Sequence, residues 1–363
     1  MMRAGIKKAI ICLAAGPEQY PVIKKAKEMG LEVIAVDRNP KAVGFELADE
    51  KIVLSTYEAK PIINRIRKLK KYELMGVINR SSGPPVVTAA RISKALGLPG
   101  LEPDIAETAI SKSKLNKICR ERNICVPICQ SVRSLTELDW DKIKYPSIIK
   151  PSLSLVGKSG VLIVEDPDDL KEAFQNAREV SYDGWVNIEE HVAGQDICLM
   201  AVVYERQLMP LVLLDELNQI NEHGEVSGAG FAVPSIFTGT IEEKRILKLA
   251  EDIINKLQFK TTPFLMCCRC RKGDFPRLIE LHLDFGGDLV LDELLPESTD
   301  FDFIKYVINI LTDNPLPLPK ISFQTAAILY GEGDGFFHGR RFRIIKDDNR
   351  TKLENILREI CVT

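Results

Sequence analysis

The first hundred residues alternate between short apolar runs and helix-like segments, and this repeat constrains the fold more than any other feature of the chain. Residues 9 to 13 are apolar and end at Ala14-Ala15-Gly16, after which Pro17 opens a predicted helix to Met29 with Gly30 as its terminator. Residues 31 to 36 read as a buried strand ending at Asp37, and the alternation continues through 75 to 78 and a helix over 85 to 96. Strand, helix, strand units of this kind predict a parallel sheet. Asp37 stands where a dinucleotide enzyme places its ribose ligand, but Gly16 alone occupies the turn that would need G-x-G-x-x-G. A structural role for this unit is expected.

At 363 residues the chain exceeds one ordinary core, so two or three packed units are expected. A polar helix over 111 to 121 is stopped by Val126-Pro127. Short strands at 146 to 150, 161 to 165 and 185 to 189, with a helix over 168 to 177, suggest a small α+β unit. Longer strands at 196 to 204, 210 to 214 and 264 to 270, with a helix over 242 to 257, make up the third and largest unit.

Charge and composition narrow the partners. The net charge is −2 and no basic tract is interleaved with aromatics, which argues against a nucleic-acid partner. No apolar run approaches the roughly 20 residues that span a bilayer, and residues 1 to 8 lead into a strand without a cleavage motif. A cytoplasmic protein without a membrane partner is expected. Nine cysteines, most inside apolar runs, fit reduced thiols better than a disulfide framework. Alternation over Phe264 to Cys270 puts Cys268 and Cys270 on one face, and no second cluster supplies further zinc ligands, so these read as buried strand cysteines.

Two distant stretches carry the chemistry. Tyr145 to Lys150 offers a lysine ahead of a glycine-bearing loop, and Leu278 to Gly287 offers carboxylates. Residues 152 to 159 nearly match a P-loop, but the β-branched run from Gly160 to Glu165 follows where a helix would be required. Strand, loop, strand is a hairpin. Such a lid folds over a polyphosphate, with Gly157 and Gly160 giving backbone freedom and Lys158, Ser159 and the amides supplying donors.

The motif order resembles the ATP-grasp superfamily over nearly the whole chain. The amino-terminal part, with Gly16-Pro17, Lys27 to Pro40 and Ala48-Asp49-Glu50, is similar to the domain preceding the grasp in the carbamoyl phosphate synthetase large chain and the purine-pathway ligases. That resemblance implies a mixed α/β and α+β protein: a Rossmann-like pre-ATP-grasp domain over 1 to 108, a small lid-bearing subdomain over 109 to 188, and a carboxy-terminal subdomain over 189 to 363. It further implies that Lys112 and Lys150 are the two phosphate-side lysines and that Gly157-Lys158-Ser159-Gly160 is the lid. Glu189 would meet the adenine amino group, the backbone from Glu190 to Val192 would pair with the adenine edge, and Asp196 would take the ribose hydroxyls.

In the family's metal stretch, Glu280 would bridge magnesium, with manganese as the alternative ion, and His282 stands where an asparagine ligand is usual. Asp284 replaces an arginine that commonly holds a substrate carboxylate or phosphate, which would favour a cationic group. Cys267 stands where an upstream acid is usual, so either Asp284 or Asp288 makes up the ligand or metal binding is weakened. Arg269 matches a basic position aimed at the transferring phosphate. Residues 215 to 234 and 286 to 288 would form the substrate pocket, with a mobile loop over 218 to 224.

The implied activity is an ATP-dependent carboxylate-amine ligase acting through an acyl phosphate on amino-acid-like substrates, with Lys150, Arg269 and Glu280 as its catalytic residues. Pairing as a homodimer is a family-level expectation. The rival readings are a non-catalytic nucleotide-binding protein with a decayed metal site and a carboxylase-type enzyme, although no biotinyl attachment motif is present.

Overall fold

The computed structural model describes residues 6–155, 157–284, 286–337 and 340–360. Residues 1–5 before the first strand, Val156 of the lid and Phe285 of the metal stretch lie outside them. Strand β1 (Lys7–Leu13) leads through α1 (Tyr20–Glu28) to β2 (Glu32–Asp37), then β3 (Glu50–Val53), α2 (Ala59–Ile66), β4 (Tyr72–Asn79) and α3 (Pro84–Leu96). These four strands form one parallel sheet in the order β3-β2-β1-β4, as the alternation predicts.

Successive residues of β1 divide between two cores, because strand side chains alternate faces. Ala9, Ile11 and Leu13 pack with Ile62 and Ile66 of α2 and Ile92 of α3, while Ile10 and Cys12 pack with Val22 and Ile23 of α1. The Asp37 carboxylate accepts hydrogen bonds from the amides of Ala15, at 2.9 Å, and Asn39, at 2.8 Å.

Helices α4 (Pro103–Ala109) and α5 (Lys112–Glu121) connect to a second sheet built from β5 (Cys129–Val132), β6 (Ser147–Pro151), β7 (Leu162–Val164), α6 (Leu170–Glu179) and β8 (Val186–Glu190). Its strands run antiparallel in the order β5-β8-β6-β7, and Phe174 with Ala173 and Ala177 of α6 covers one face. Ser111 caps α5, its hydroxyl accepting from the Lys114 amide.

The third sheet has seven antiparallel strands: β9 (Gln195–Tyr204), β10 (Gln207–Ile220), β11 (Val226–Val233), β12 (Thr262–Cys270), β13 (Arg277–His282), β14 (Ala326–Phe337) and β15 (Arg340–Lys346). Their order is β13-β12-β9-β10-β11-β14-β15. On one face Ile197, Leu199, Ala201, Phe264 and Met266 pack against α7 (Ile241–Leu257). On the other, Cys198, Met200 and Val202 meet α8 (Leu295–Ser298) and α9 (Phe303–Leu311). Helix α10 (Arg350–Ile360) follows β15.

The sequence reading underestimated β10, which runs to Ile220 where a loop from Asn218 was expected. Polar Asn218 and Gln219 hold strand geometry because they pair with Gly228 and Ser227 across a hairpin, and only residues 221 to 224 turn.

Helix α9, more than 200 positions from β4, completes the parallel sheet by packing on it. Gly76 of β4 makes room, since a Cβ there would lie 2.2 Å from the Leu311 carbonyl oxygen. Substitution Gly76→Ala is therefore expected to destabilise the protein by about 1–3 kcal/mol through overpacking. Denaturant unfolding checks this against Gly157→Ala, which meets nothing within 4 Å and should change stability by less than about 0.5 kcal/mol.

Candidate active site

The three sheets converge on one cleft of about 1140 Å³. Lys112, Lys150, Gly157, Lys158, Ser159, Glu189, Glu190, Val192, Asp196, Arg269, Glu280 and His282 all line it, so nearly every residue singled out from the sequence faces the same space. Gly160 lies between the lining residues Ser159 and Val161 and closes the lid turn in a left-handed conformation, φ +72°. A Cβ there would come within 2.5 Å of Val180.

Three lysine–carboxylate pairs organise the cleft. Lys150 Nζ on β6 lies 2.7 Å from Glu189 Oε2 on β8, with both side chains 5% exposed. Burial pulls the Lys150 ammonium down, but the adjacent Glu189 carboxylate more than reverses this and holds it above the usual lysine value. Asn187 steadies the pair, donating to Glu189 at 3.2 Å while accepting from Ser113 at 2.7 Å and Ser131 at 2.9 Å. Glu189 is thus engaged with Lys150 and Asn187.

Lys112, the first residue of α5, reaches across to β13 and meets Glu280 at 2.8 Å. Its amide donates to the Ser152 carbonyl at 3.0 Å, which fixes the helix start against the end of β6. Lys158 at the lid tip meets Glu216 of β10 at 2.8 Å. Backbone hydrogen bonds from Ile163 to Gly224, 2.8 Å, and from Val226 to Val161, 3.0 Å, tie the lid to the β10–β11 hairpin. The lid is closed.

Arg269 sits toward the hinge stretch. Its guanidinium donates to the Val192 carbonyl and to Asp196 Oδ2, both at 3.1 Å, and contacts His191 Nε2 at 3.1 Å. Asn218 also donates to Asp196, at 2.8 Å. The short Asp196 side chain is therefore held by two donors from neighbouring strands.

Several expectations need correction. Asp284 lines the cleft, but its carboxylate is already engaged by neighbouring donors. Only 5% exposed, it accepts from the Gly286 amide at 2.7 Å and from Ser82 at 3.0 Å. Its short carboxylate is consumed in shaping the turn. Asp288 lines the cleft but also lies outside the donor cluster described below. Asp215, expected in the substrate pocket, is buried on the far face, where it accepts from Ser235 and the Ile236 amide and pairs with Arg350.

The cysteine reading also changes. Cys268 and Cys270 do lie in the α7 core. Cys267 faces the cleft instead, with its sulfur 3.0 Å from that of Cys198, its register partner on β9. The ligands that the sequence did not supply nearby come from other strands: Cys267, Glu280 and His282 form one group of donor atoms, and Cys198, Glu216 and Cys267 another, each within 4.8 Å. Magnesium takes oxygen ligands in octahedral geometry, and a set with one carboxylate, an imidazole and a thiol does not fit it.

Sequence reasoning also passed over Arg80. At the end of β4, its guanidinium is buried against Asp292 at 2.9 Å and donates to the Glu18 carbonyl at 2.7 Å and the Gly286 carbonyl at 3.0 Å. It joins the parallel sheet to the turn after β13. The polar run Asn79 to Ser82 directly after an apolar strand was the available signal.

Around Glu280 the charges reinforce one another. Burial would raise its carboxyl, but Lys112 and His282 overcome this and hold it well below the ordinary range. His282 Nε2 lies 3.3 Å from Glu280 Oε1. Burial works against its protonation, yet the Glu280 carboxylate lifts it to about 10. By NMR titration of chelator-treated protein, His282 is expected to remain protonated through neutral pH and to lose its proton near 10. Glu280→Gln should lower it strongly, because it removes the carboxylate that opposes the effect of burial. A His282 resonance that already titrates near neutrality in the unsubstituted protein would contradict this geometry.

No family model matches the chain. The formate-dependent phosphoribosylglycinamide formyltransferase of Prochlorococcus marinus (strain MIT 9515) is 28% identical over 177 residues, covering 47% of this chain and 44% of that protein. The chain thus spans less than half the length of this curated relative. Among solved structures, an L-amino acid ligase from Bacillus licheniformis superposes with a TM-score of 0.77 at 17% identity, over 98% of each chain. An N5-carboxyaminoimidazole synthetase from Staphylococcus aureus, complexed with ADP, gives 0.76 at 14% identity over 99% of each chain. The chain superposes from end to end on such ligases and shares their fold.

Proposed function

We propose that this protein is an ATP-dependent ligase that joins a carboxylate to an amine through an acyl phosphate, acting on amino-acid-like substrates. The observation that carries this reading is the convergence of Lys112, Lys150, the lid and Glu280 on one cleft. Three cationic side chains and the lid amides would surround a triphosphate there. End-to-end superposition on ligases favours turnover over a purely regulatory nucleotide site. In this reading the pre-grasp unit ends near 108, and the line between the two grasp subdomains falls after Glu190, because β8 continues through that residue.

The chemistry follows from charge placement. The substrate carboxylate attacks the γ-phosphorus, the bond to the bridging oxygen breaks, and ADP leaves with the electron pair. Lys112 and Lys150 offset charge on the phosphoryl oxygens as it redistributes. An amine then attacks the acyl carbon, loses its proton and expels phosphate, giving the amide. The closed lid excludes water that would hydrolyse the acyl phosphate. Adenine would lie along the backbone from Glu190 to Val192, with the ribose near Asp196 and the Arg269 guanidinium close by. The acid and amine would occupy the part of the cleft bounded by Glu216, Asn218, Phe231 and the Gly286–Gly287 turn. No step is assigned to magnesium.

A screen of amino-acid pairs with ATP tests the reading. ADP and phosphate should appear only when a matching acid and amine are both present, and Lys112→Ala should reduce turnover by about 10²–10³-fold. Glu280→Lys should abolish it. Full turnover by Glu280→Lys, or ADP release indifferent to both substrates, would overturn the assignment.

A further inference from the structure

The donor cluster on the paired strands β12 and β13 does not match a magnesium site, and its composition points to another ion. We propose that Cys267, Glu280 and His282 bind a zinc-class divalent cation, with a fourth coordination position open to the cleft. Thiolate, imidazole and carboxylate are the ligand set of borderline-soft metals, and three protein ligands with one open position is the pattern of an accessible zinc centre.

The geometry is specific to these three residues. Cys267 pairs with Glu280 in the antiparallel register and Leu265 pairs with His282, so two hydrogen-bonded strands fix all three backbones. Their donor atoms already lie within 4.8 Å of one another, and the His282 nitrogen is 3.3 Å from Glu280 Oε1. In a tetrahedral site with bonds of about 2.0–2.3 Å, ligand atoms sit about 3.3–3.8 Å apart, so small side-chain rotations close the set.

The two oxygens of Glu280 divide the work. Oε2 faces Lys112 at 2.8 Å, while Oε1 faces His282 and is the oxygen an ion would take. Lys112 can therefore stay in place as a partner to the second oxygen, as outer carboxylate contacts do in metal sites. Metal ligation takes a thiolate and a neutral imidazole, so binding at Cys267 and His282 would be accompanied by proton release.

Cys198, 3.0 Å from Cys267, and Glu216 border the same space without being needed for the three-ligand set. Cys268, the next residue along β12, lies in the opposite core and serves as a control.

Cobalt(II) titration of the full-length, chelator-treated protein in a phosphine reductant tests the proposal. A thiolate-to-cobalt charge-transfer band should saturate at one equivalent, persist in Cys268→Ala and vanish in Cys267→Ser. Zinc should displace the cobalt, and excess magnesium should not. His282→Asn should keep the thiolate yet weaken cobalt binding by at least about tenfold, which preserves the test if Cys267→Ser fails to fold. The absence of a band, its survival in Cys267→Ser, unchanged affinity in His282→Asn, or displacement by magnesium would each overturn the assignment. The readout needs neither nucleotide nor substrate, so its failure is distinguishable from failure of the ligase reading.

Discussion

The buried pair of Lys150 and Glu189 fixes the floor of the cleft, and the other site residues take their positions around it. Neither charge could remain there alone, because removing one partner of a buried pair typically costs about 3–5 kcal/mol. The pair spans β6 and β8, and Asn187 extends it to Ser113 of α5 and Ser131 of β5. Four segments are thereby set against one another. Apolar replacements of similar volume could match its stability, but they would leave no cation facing the cleft.

A second constraint comes from the core. The apolar cluster containing Ile10 and Cys12 of the parallel sheet also contains Cys198, Met200 and Cys267 of the seven-stranded sheet, with Ile308 and Ile310 of α9 between them. This continuity gives the cleft its rigidity: the wall bearing Glu280 cannot shift far from the wall bearing Arg80 without opening a packed interior. The Arg80–Asp292 pair repeats the link in polar form, with the arginine side chain 1% exposed.

How much of this was legible in the sequence depended on the range of the interaction. The β1–α1–β2 unit was readable because strand and helix periods are local, and motif order pointed to Lys112, Lys150 and the loop over 157 to 159, which line one cleft. Strand β11 and the far end of β10 were missed because cross-strand pairing at Asn218 and Gly228 overrides weak propensity. The cysteine face was read correctly for Cys268 and Cys270. What Cys267 meets could not be inferred, because its neighbours arrive from β9, β10 and β13 and no local pattern encodes that meeting. Asp284 looked available for a ligand only while its turn, with the Gly286 amide and Ser82, was out of view.

The three lysines that line the cleft are each already engaged by a carboxylate. Any anion that enters must exchange those partners, so its affinity is a difference between two sets of charge-assisted contacts. A lone inorganic ion carries too little charge, over too short a span, to compensate several displaced acids together. A chain of linked phosphates, as in the proposed nucleotide, would carry it, so the resting pairs would set a threshold on ligand valence against the small anions that surround any protein in solution.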